Sequence, residues 1–162
     1  MRKNFLRILC CLLVMMTLFA FSSTAFAATS WSTFDINKTS DYSIYDTFAI
    51  QNVLRGFDYT ARTKVGNVDG VYGNGTKNGV IYLQNYSGAG FVKLTADGIT
   101  GSNTWSKLYQ SLTIVTNPND NMQYCAGYSY DPHAVDWVAR YNPTKVRWQT
   151  YNQTQAWVNF GK

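Results

Sequence analysis

The feature that most constrains this chain is an eight-residue motif that occurs twice, 28 residues apart, at Asp69–Thr76 and at Asp97–Thr104. Both copies read Asp-Gly, an apolar residue, any residue, Gly, two small or polar residues and Thr. Asp-Gly predicts a tight turn, because Gly accepts positive φ without strain. The small polar residues that follow can cap a helix. Each copy therefore predicts a turn that leads into a helix, and the shared positions are Asp69, Gly70, Gly73 and Thr76, then Asp97, Gly98, Gly101 and Thr104.

Apolar residues around the two copies recur at helical spacing and predict three short helices. The first begins after Ser43, the second spans about Asn74–Tyr86, and the third spans about Ser102–Leu112. The segment Asp58–Asn67 is interpreted as a loop. Trp105 is interpreted as a core residue rather than as a ligand platform, because it shares an apolar face with Leu108. The predicted core is Ile50, Leu54, Val71, Val80, Leu83, Ile99, Trp105 and Leu108.

This pattern resembles the peptidoglycan-binding domain family of the small three-helix type. The resemblance covers residues 44–112 and rests on the two copies of the motif, on a Val-x-x-Leu-Gln sequence at residues 80–84, and on Thr104-Trp105 with Leu108. In the first helix, Ile50, Gln51 and Leu54 occupy the places of the family's Leu-Gln pair and its following Leu. The segment 58–68 is longer than the family's usual loop, and Gly79 stands where Ala is common.

The resemblance implies a mainly α fold, a compact three-helix bundle that carries a C-terminal extension. It also implies a non-catalytic protein that binds peptidoglycan or its fragments and needs no cofactor or metal. Amide side chains suit the stem peptides of that polymer, and aromatic faces can stack on its sugars. The candidate ligand-binding residues, on or beside the Gly-rich entry to the second helix, are Tyr72, Asn74, Asn78, Tyr82 and Tyr86.

Residues 1–27 have the pattern of a signal peptide. Arg2, Lys3 and Arg7 precede an apolar run at 8–21, and Ala25-Phe26-Ala27 supplies the small residues that a signal peptidase reads. The run is shorter than the roughly 20 residues that a membrane span needs, so no stable membrane anchor is expected after cleavage. The expected location is therefore secreted or cell-wall associated, in a bacterial setting.

Cleavage after residue 27 would leave eleven basic residues against nine Asp, a net charge of +2. No run of Lys or Arg remains after it. Nucleic-acid binding needs a basic surface that neutralises phosphates, so this class of function is excluded.

The rest of the chain divides into two segments outside the resemblance. Residues 28–43 are polar and predict an N-terminal arm or linker, and residues 113–162 form an aromatic-rich extension of no recognised family. Within the extension, His133–Tyr141 predicts a short helix. Lys145–Tyr151 and Gln155–Phe160 predict two strands of a β-hairpin.

Other readings stay open at this point. Cys125 and His133 could serve a small peptidoglycan hydrolase, although the extension is short for the folds that carry such a pair. Asp69 and Asp97 could bind a metal or an amine, but Asp before Gly more often accepts hydrogen bonds from its own turn. The chain could also be an interaction module for another exported protein. Cys125, the one cysteine outside the signal peptide, is either buried or available for pairing between molecules.

Overall fold

A computed structural model describes Trp31 and residues 43–117, 122–127, 137–144 and 146–161. The predicted signal peptide (1–27), the arm (28–43) apart from Trp31 and Ser43, and His133 lie outside the described residues. Within them the helices come first and the strands follow. The helices are α1 (Ile44–Phe57), α2 (Tyr59–Val65), α3 (Asn74–Asn85) and α4 (Ser102–Gln110), and the strands are β1 (Leu112–Thr116), β2 (Gln123–Gly127), β3 (Trp137–Asn142), β4 (Arg147–Tyr151) and β5 (Trp157–Phe160).

Helix α1 is the central element of the fold. It begins after Ser43, as predicted, and a capping box closes this end: Asp46 N donates to Ser43 Oγ at 3.1 Å, and Ser43 N donates to Asp46 Oδ2 at 3.2 Å. Ten of its fourteen residues are buried, because it contacts the other helices and also strands β2 to β5. Asn52 Nδ2 donates to Thr150 Oγ1 at 3.0 Å and to the Tyr151 carbonyl at 2.7 Å. The helix therefore joins the helical part to the C-terminal part.

The prediction of a mainly α fold is wrong, because the C-terminal part forms a five-stranded antiparallel sheet in the order β1-β2-β3-β4-β5. Strands β4 and β5 pair as the predicted hairpin, but they are only two of the five strands. Strand β1 occupies a segment without charged residues in which four of the five residues are β-branched.

The predicted helix at His133–Tyr141 is also wrong over its described part, where Trp137–Asn142 forms β3. Pairing with β2 and β4 explains the difference, because cross-strand pairs stabilise a strand. Ala139 pairs with Thr150 and Tyr141 pairs with Trp148, and all four of these residues are buried. Strand pairing therefore determines this segment more strongly than its helical start signal does.

The predicted loop 58–67 contains helix α2, so the described helices number four rather than three. Asp58 caps α2 by accepting from Ala61 N at 2.6 Å, and Ala61 and Val65 are buried. A Cβ on Gly79 in α3 would lie 2.4 Å from Val65 Cγ2 and 3.1 Å from Leu54 Cδ1. The longer segment 58–68 and the glycine at position 79 are therefore related, because α2, which lies in that segment, packs against Gly79 where a larger residue would not fit.

A single hydrophobic core runs from the helices into the sheet. Trp31 is fully buried, and its ring meets Trp105 and Tyr109 of α4 at centroid distances of 5.8 and 5.7 Å, Trp148 of β4 at 5.3 Å and Phe160 of β5 at 5.2 Å. Trp105 lies in this core, which confirms its interpretation as a core residue. The helices and the sheet therefore share one core.

In the part of the chain that the structure describes, no helix combines the length and the apolar character that crossing a membrane requires.

Candidate functional site

The two copies of the motif form two equivalent turns, each organised by one buried glutamine. At the second turn (97–104), Gln84 Nε2 donates to Asp97 Oδ1 at 2.8 Å, to the Ile99 carbonyl at 3.0 Å and to Thr104 Oγ1 at 3.1 Å. Gln84 Oε1 accepts from Gly98 N at 2.9 Å. One amide thus binds the turn and the first residues of α4 together.

The first turn (69–76) repeats these contacts with Gln51 in the place of Gln84. Gln51 Nε2 donates to Asp69 Oδ1 at 2.7 Å, to the Val71 carbonyl at 3.1 Å and to Thr76 Oγ1 at 3.0 Å. Gln51 Oε1 accepts from Gly70 N at 2.9 Å. The two turns are therefore two copies of one hydrogen-bonding device, which explains why the motif conserves both Asp and Thr between its copies.

The structure supports the turn interpretation of Asp69 and Asp97. Each Oδ1 also accepts from the backbone N–H two residues on, Val71 N at 2.9 Å and Ile99 N at 2.8 Å. The hydrogen bond from Gln51 is the main cause that lowers the pKa of Asp69, and the hydrogen bond from the Ile99 backbone is the main cause for Asp97. Among the described residues no group of three or more His, Cys, Asp or Glu side chains is placed to hold a metal ion.

These lowered pKa values predict a specific loss of stability in acid. A carboxyl group whose folded pKa lies below its ordinary value of 3.8 stabilises the fold fully at a pH above 3.8. This contribution is lost as the pH falls below 3.8 and through the lowered folded pKa. Asn at positions 69 and 97 retains the acceptor but not the charge. We expect urea unfolding to show a stability gap between the wild type and the double variant Asp69→Asn/Asp97→Asn that is wide at pH 7 and closes by about pH 2. A gap of equal size at both pH values would contradict the charge argument.

The predicted positive φ at the two Asp-Gly turns is confirmed, with φ of 74° at Gly70 and 73° at Gly98. The space around the two glycines differs. A Cβ on Gly70 would lie 2.6 Å from Ile44 Cγ1 and 2.9 Å from Phe48 Cζ, whereas a Cβ on Gly98 would meet mainly the flexible side chain of Lys77.

We therefore expect unequal costs for the two alanine variants. Gly98→Ala should lower the free energy of unfolding by about 1–2 kcal/mol through backbone strain alone. Gly70→Ala should cost about 1–3 kcal/mol more, because a buried aromatic ring must move. Urea denaturation of both variants measures the difference, and equal costs would show that the packing around Gly70 relaxes freely.

An open groove of about 540 Å³ lies beside the second turn, where α4 begins. The N-cap residue of α4 is Gly101, and no side chain caps the helix there. Lys93 contributes a cation, while Leu94 and Ile99 contribute apolar surface. The lining is Gln84, Lys93, Leu94, Thr95, Asp97, Ile99, Gly101, Ser102, Asn103 and Thr104.

A buried lysine holds one wall of this groove. Lys107 Nζ donates to the carbonyls of Tyr86 at 2.6 Å, Val92 at 2.7 Å and Gln84 at 3.2 Å. Burial lowers the pKa of Lys107, and the carbonyls at the C-terminal end of α3 offset part of that cost. The segment that leads from α3 into the groove is therefore fixed to α4. Sequence reasoning did not find Lys107, because a single Lys on a short helix carries no signal of burial.

Three of the five candidate ligand-binding residues, all tyrosines, make contacts within the fold. Tyr72 Oη donates to the Gly98 carbonyl at 2.8 Å, which joins the first turn to the second. Tyr82 Oη donates to Asp58 Oδ2 at 2.7 Å, and burial, with Asp58 beside it, raises the pKa of Tyr82. The Tyr86 ring packs on Phe57 at 4.9 Å.

The two asparagines differ from these tyrosines, since Asn74 and Asn78 are exposed on α3. The five candidates therefore differ in exposure: the two asparagines are exposed and the three tyrosines are half-buried. Their role in binding a ligand remains a prediction. The groove residues outside the motif were not among the candidates from the sequence, and only the structure identifies them.

The comparisons with known proteins agree with this geometry. Residues 45–108 match the model of a family described as a putative peptidoglycan binding domain. No curated protein and no solved structure matches the chain. The matched range begins in α1 and ends in α4, so it holds both turns, both organising glutamines and all of the groove lining. The resemblance to the peptidoglycan-binding domain family is therefore confirmed over residues 45–108.

Proposed function

We propose that this chain is an exported, non-catalytic protein that binds peptidoglycan at the groove beside the second turn. The observation that carries the proposal is the position of this groove inside the range that matches the family. Peptidoglycan is the expected partner of such a domain. The groove supplies a surface with polar, cationic and apolar side chains on which that partner can bind.

The chemistry of the groove suits the stem peptides of the wall. A short peptide offers carbonyls, N–H groups and carboxylates, and it needs both donors and acceptors from a site. Thr95, Ser102 and Asn103 supply hydroxyl and amide groups, and Lys93 supplies a positive charge for a carboxylate. The N-terminal N–H groups of α4 favour the same negative charge.

The absence of catalysis is part of the proposal, and the state of Cys125 supports it. The side chain is fully buried, and burial raises the pKa of its thiol to about 12. A cysteine nucleophile acts as the thiolate, which such a pKa suppresses at neutral pH. His133, the other residue of the hydrolase alternative, lies outside the described residues. Export rests on the signal-peptide pattern of residues 1–27.

Co-sedimentation of the full protein with purified peptidoglycan sacculi tests the proposal. We expect the wild type to sediment with the sacculi and Lys93→Glu to bind about tenfold more weakly, because the variant places a negative charge where a carboxylate must lie. Lys64→Glu is the matched control, since Lys64 is exposed on α2 and the change in net charge is the same. Binding by Lys64→Glu should equal that of the wild type.

The same assay separates the groove from the surface predicted on α3. If Asn74→Ala/Asn78→Ala loses binding while Lys93→Glu retains it, the contact lies on α3 and the groove proposal is overturned. A wild-type protein that stays in the supernatant would remove the proposed function itself. Capture of one exported protein without any wall material would then favour the interaction module.

A further inference from the structure

The outer face of the sheet carries a row of polar side chains that crosses four strands. Strand pairing places Tyr124 beside Arg140, Arg140 beside Gln149, and Gln149 beside Asn159. Directly paired residues of an antiparallel sheet share a face. The neighbouring row, which includes Thr150, faces α1, since Asn52 donates to its hydroxyl. The row from Tyr124 to Asn159, called the outer row here, therefore faces away from α1. Gln149 is buried within it, Tyr124 and Arg140 are half-buried, and Asn159 is exposed.

Hydrogen bonds in the outer row run in one direction. Arg140 Nε donates to Gln149 Oε1 at 2.8 Å, and Gln149 Nε2 donates to Asn159 Oδ1 at 3.1 Å. The direction is fixed because a guanidinium group can only donate, so Gln149 must turn its oxygen towards Arg140. The groups at the two ends of this series of hydrogen bonds are the Arg140 Nη atoms and Asn159 Nδ2, which make no hydrogen bond to any described residue. Both ends are donors.

An aromatic cluster lies next to the outer row on the same face. The Trp157 ring centroid is 4.2 Å from Arg140 Cζ, 3.9 Å from the Tyr151 ring and 6.2 Å from the Tyr124 ring. Trp157 and Tyr151 are paired residues of β5 and β4, and both are half-buried. Trp148 behaves differently, because it lies on the opposite face and is buried in the core.

This combination matches an acceptor-rich, ring-shaped ligand. Aromatic rings favour the C–H faces of sugars, and ordered planar side chains bind their polar edges. Donors without acceptors at the free ends favour acetyl carbonyls and carboxylates. The described residues of the sheet include Arg140 and Arg147 and contain no carboxylate side chain, so the charge also complements an anion.

We propose that the outer row and the Trp157 cluster form a second site, which binds the N-acetylated, carboxylate-bearing glycan strand of the wall. The acetyl carbonyls and carboxylates of that strand are acceptors that can pair with the donors of Arg140 and Asn159. The choice of the wall polymer rests on the proposed function, but the donor-rich surface does not. Two sites on one chain would also strengthen attachment to one polymer.

Calorimetric titration of the full protein with glycan strands freed of stem peptides tests the site. Asn159→Asp is the most informative variant. Its Oδ1 still accepts from Gln149, but the outward donor becomes an acceptor with a negative charge, and the exposed position leaves the core intact. We expect about tenfold weaker binding by Asn159→Asp and by Trp157→Ala than by the wild type. Thermal unfolding of Asn159→Asp should be unchanged.

Arg147→Gln is the matched control, because Arg147 is an exposed cation on the same face but outside the outer row. Binding by this variant should stay within about twofold of the wild type. An equal loss in Arg147→Gln and Asn159→Asp would indicate general charge attraction and overturn the site. No binding by the wild type, or full binding by both Asn159→Asp and Trp157→Ala, would overturn it as well. If the wild type is a dimer that binds no glycan, and if Trp157→Ala is a monomer, the face serves self-association instead.

The groove variant keeps the two proposals separate. Lys93→Glu should bind sacculi about tenfold more weakly yet bind the peptide-free glycan as the wild type does. If Lys93→Glu has no effect on sacculi while Asn159→Asp weakens glycan binding, the proposed groove fails and the second site stands.

Discussion

Replacing Gln84 with Leu is expected to lower the free energy of unfolding by about 4 kcal/mol, because each buried polar group left without a partner costs about 1–3 kcal/mol. Leu has a similar volume, so the loss arises from hydrogen bonds rather than from a cavity. The buried Gly98 N loses its partner, and Thr104 Oγ1, the Ile99 carbonyl and the Asp97 carboxylate each lose one hydrogen bond. Urea denaturation measures the change.

Gln51→Leu should have an effect of the same size, because Gln51 makes the equivalent contacts at the first turn. Asn85→Ala is the control: Asn85 follows Gln84 on α3, but its side chain is exposed and bonds only within the helix. This variant should change stability by less than about 0.5 kcal/mol. A loss below about 1 kcal/mol in either Gln variant would mean that water replaces the glutamine, and the turns would not depend on it.

Trp31→Ala should lower the free energy of unfolding by about 3–5 kcal/mol, as expected for the removal of a large buried aromatic residue. The ring is fully buried between α4 and the sheet. Its removal therefore weakens the contact between the two parts of the fold as well as the core. Thermal unfolding followed by circular dichroism measures the loss of stability.

Trp31→Phe should lose less, since part of the aromatic contact remains, and Tyr59→Ala should lose almost nothing, because Tyr59 is 82% exposed. In the wild type we expect helices and sheet to unfold in one transition, since they share one core. Two separate transitions that Trp31→Ala leaves unchanged would contradict the role of Trp31 as the residue that joins them.

The helices around the two turns could be predicted closely from the sequence. The start of α1 after Ser43, the start of α3 at Asn74 and the start of α4 at Ser102 all follow from local signals: a capping residue, or a Gly that ends a turn, then apolar residues at helical spacing. Because the motif occurs twice, each copy supports the structure predicted for the other.

The sheet was harder to predict because its strands depend on one another. Strand β3 overlaps the segment His133–Tyr141, whose sequence predicts a helix. Strand β1 is a short run of mainly β-branched residues at the edge of the sheet. Each pairs with neighbours that are distant in the sequence, as in Ala139 with Thr150. Such pairing is a property of the assembled sheet, so a short stretch of sequence does not show which strands pair.

The candidate site divides in the same way. The sequence by itself determined that Asp69, Gly70, Asp97 and Gly98 form turns, because the conformations of Asp-Gly and the hydrogen bonds of Asp to its own turn are local. Only the tertiary structure decided that Gln51 and Gln84 organise those turns, that Lys107 fixes a wall of the groove, and that Tyr72 and Tyr82 bond within the fold. The physical reason is distance along the chain. Each of these side chains meets its partners 13 to 28 residues away, and the same residue types would be ordinary surface groups if the helices packed in another way.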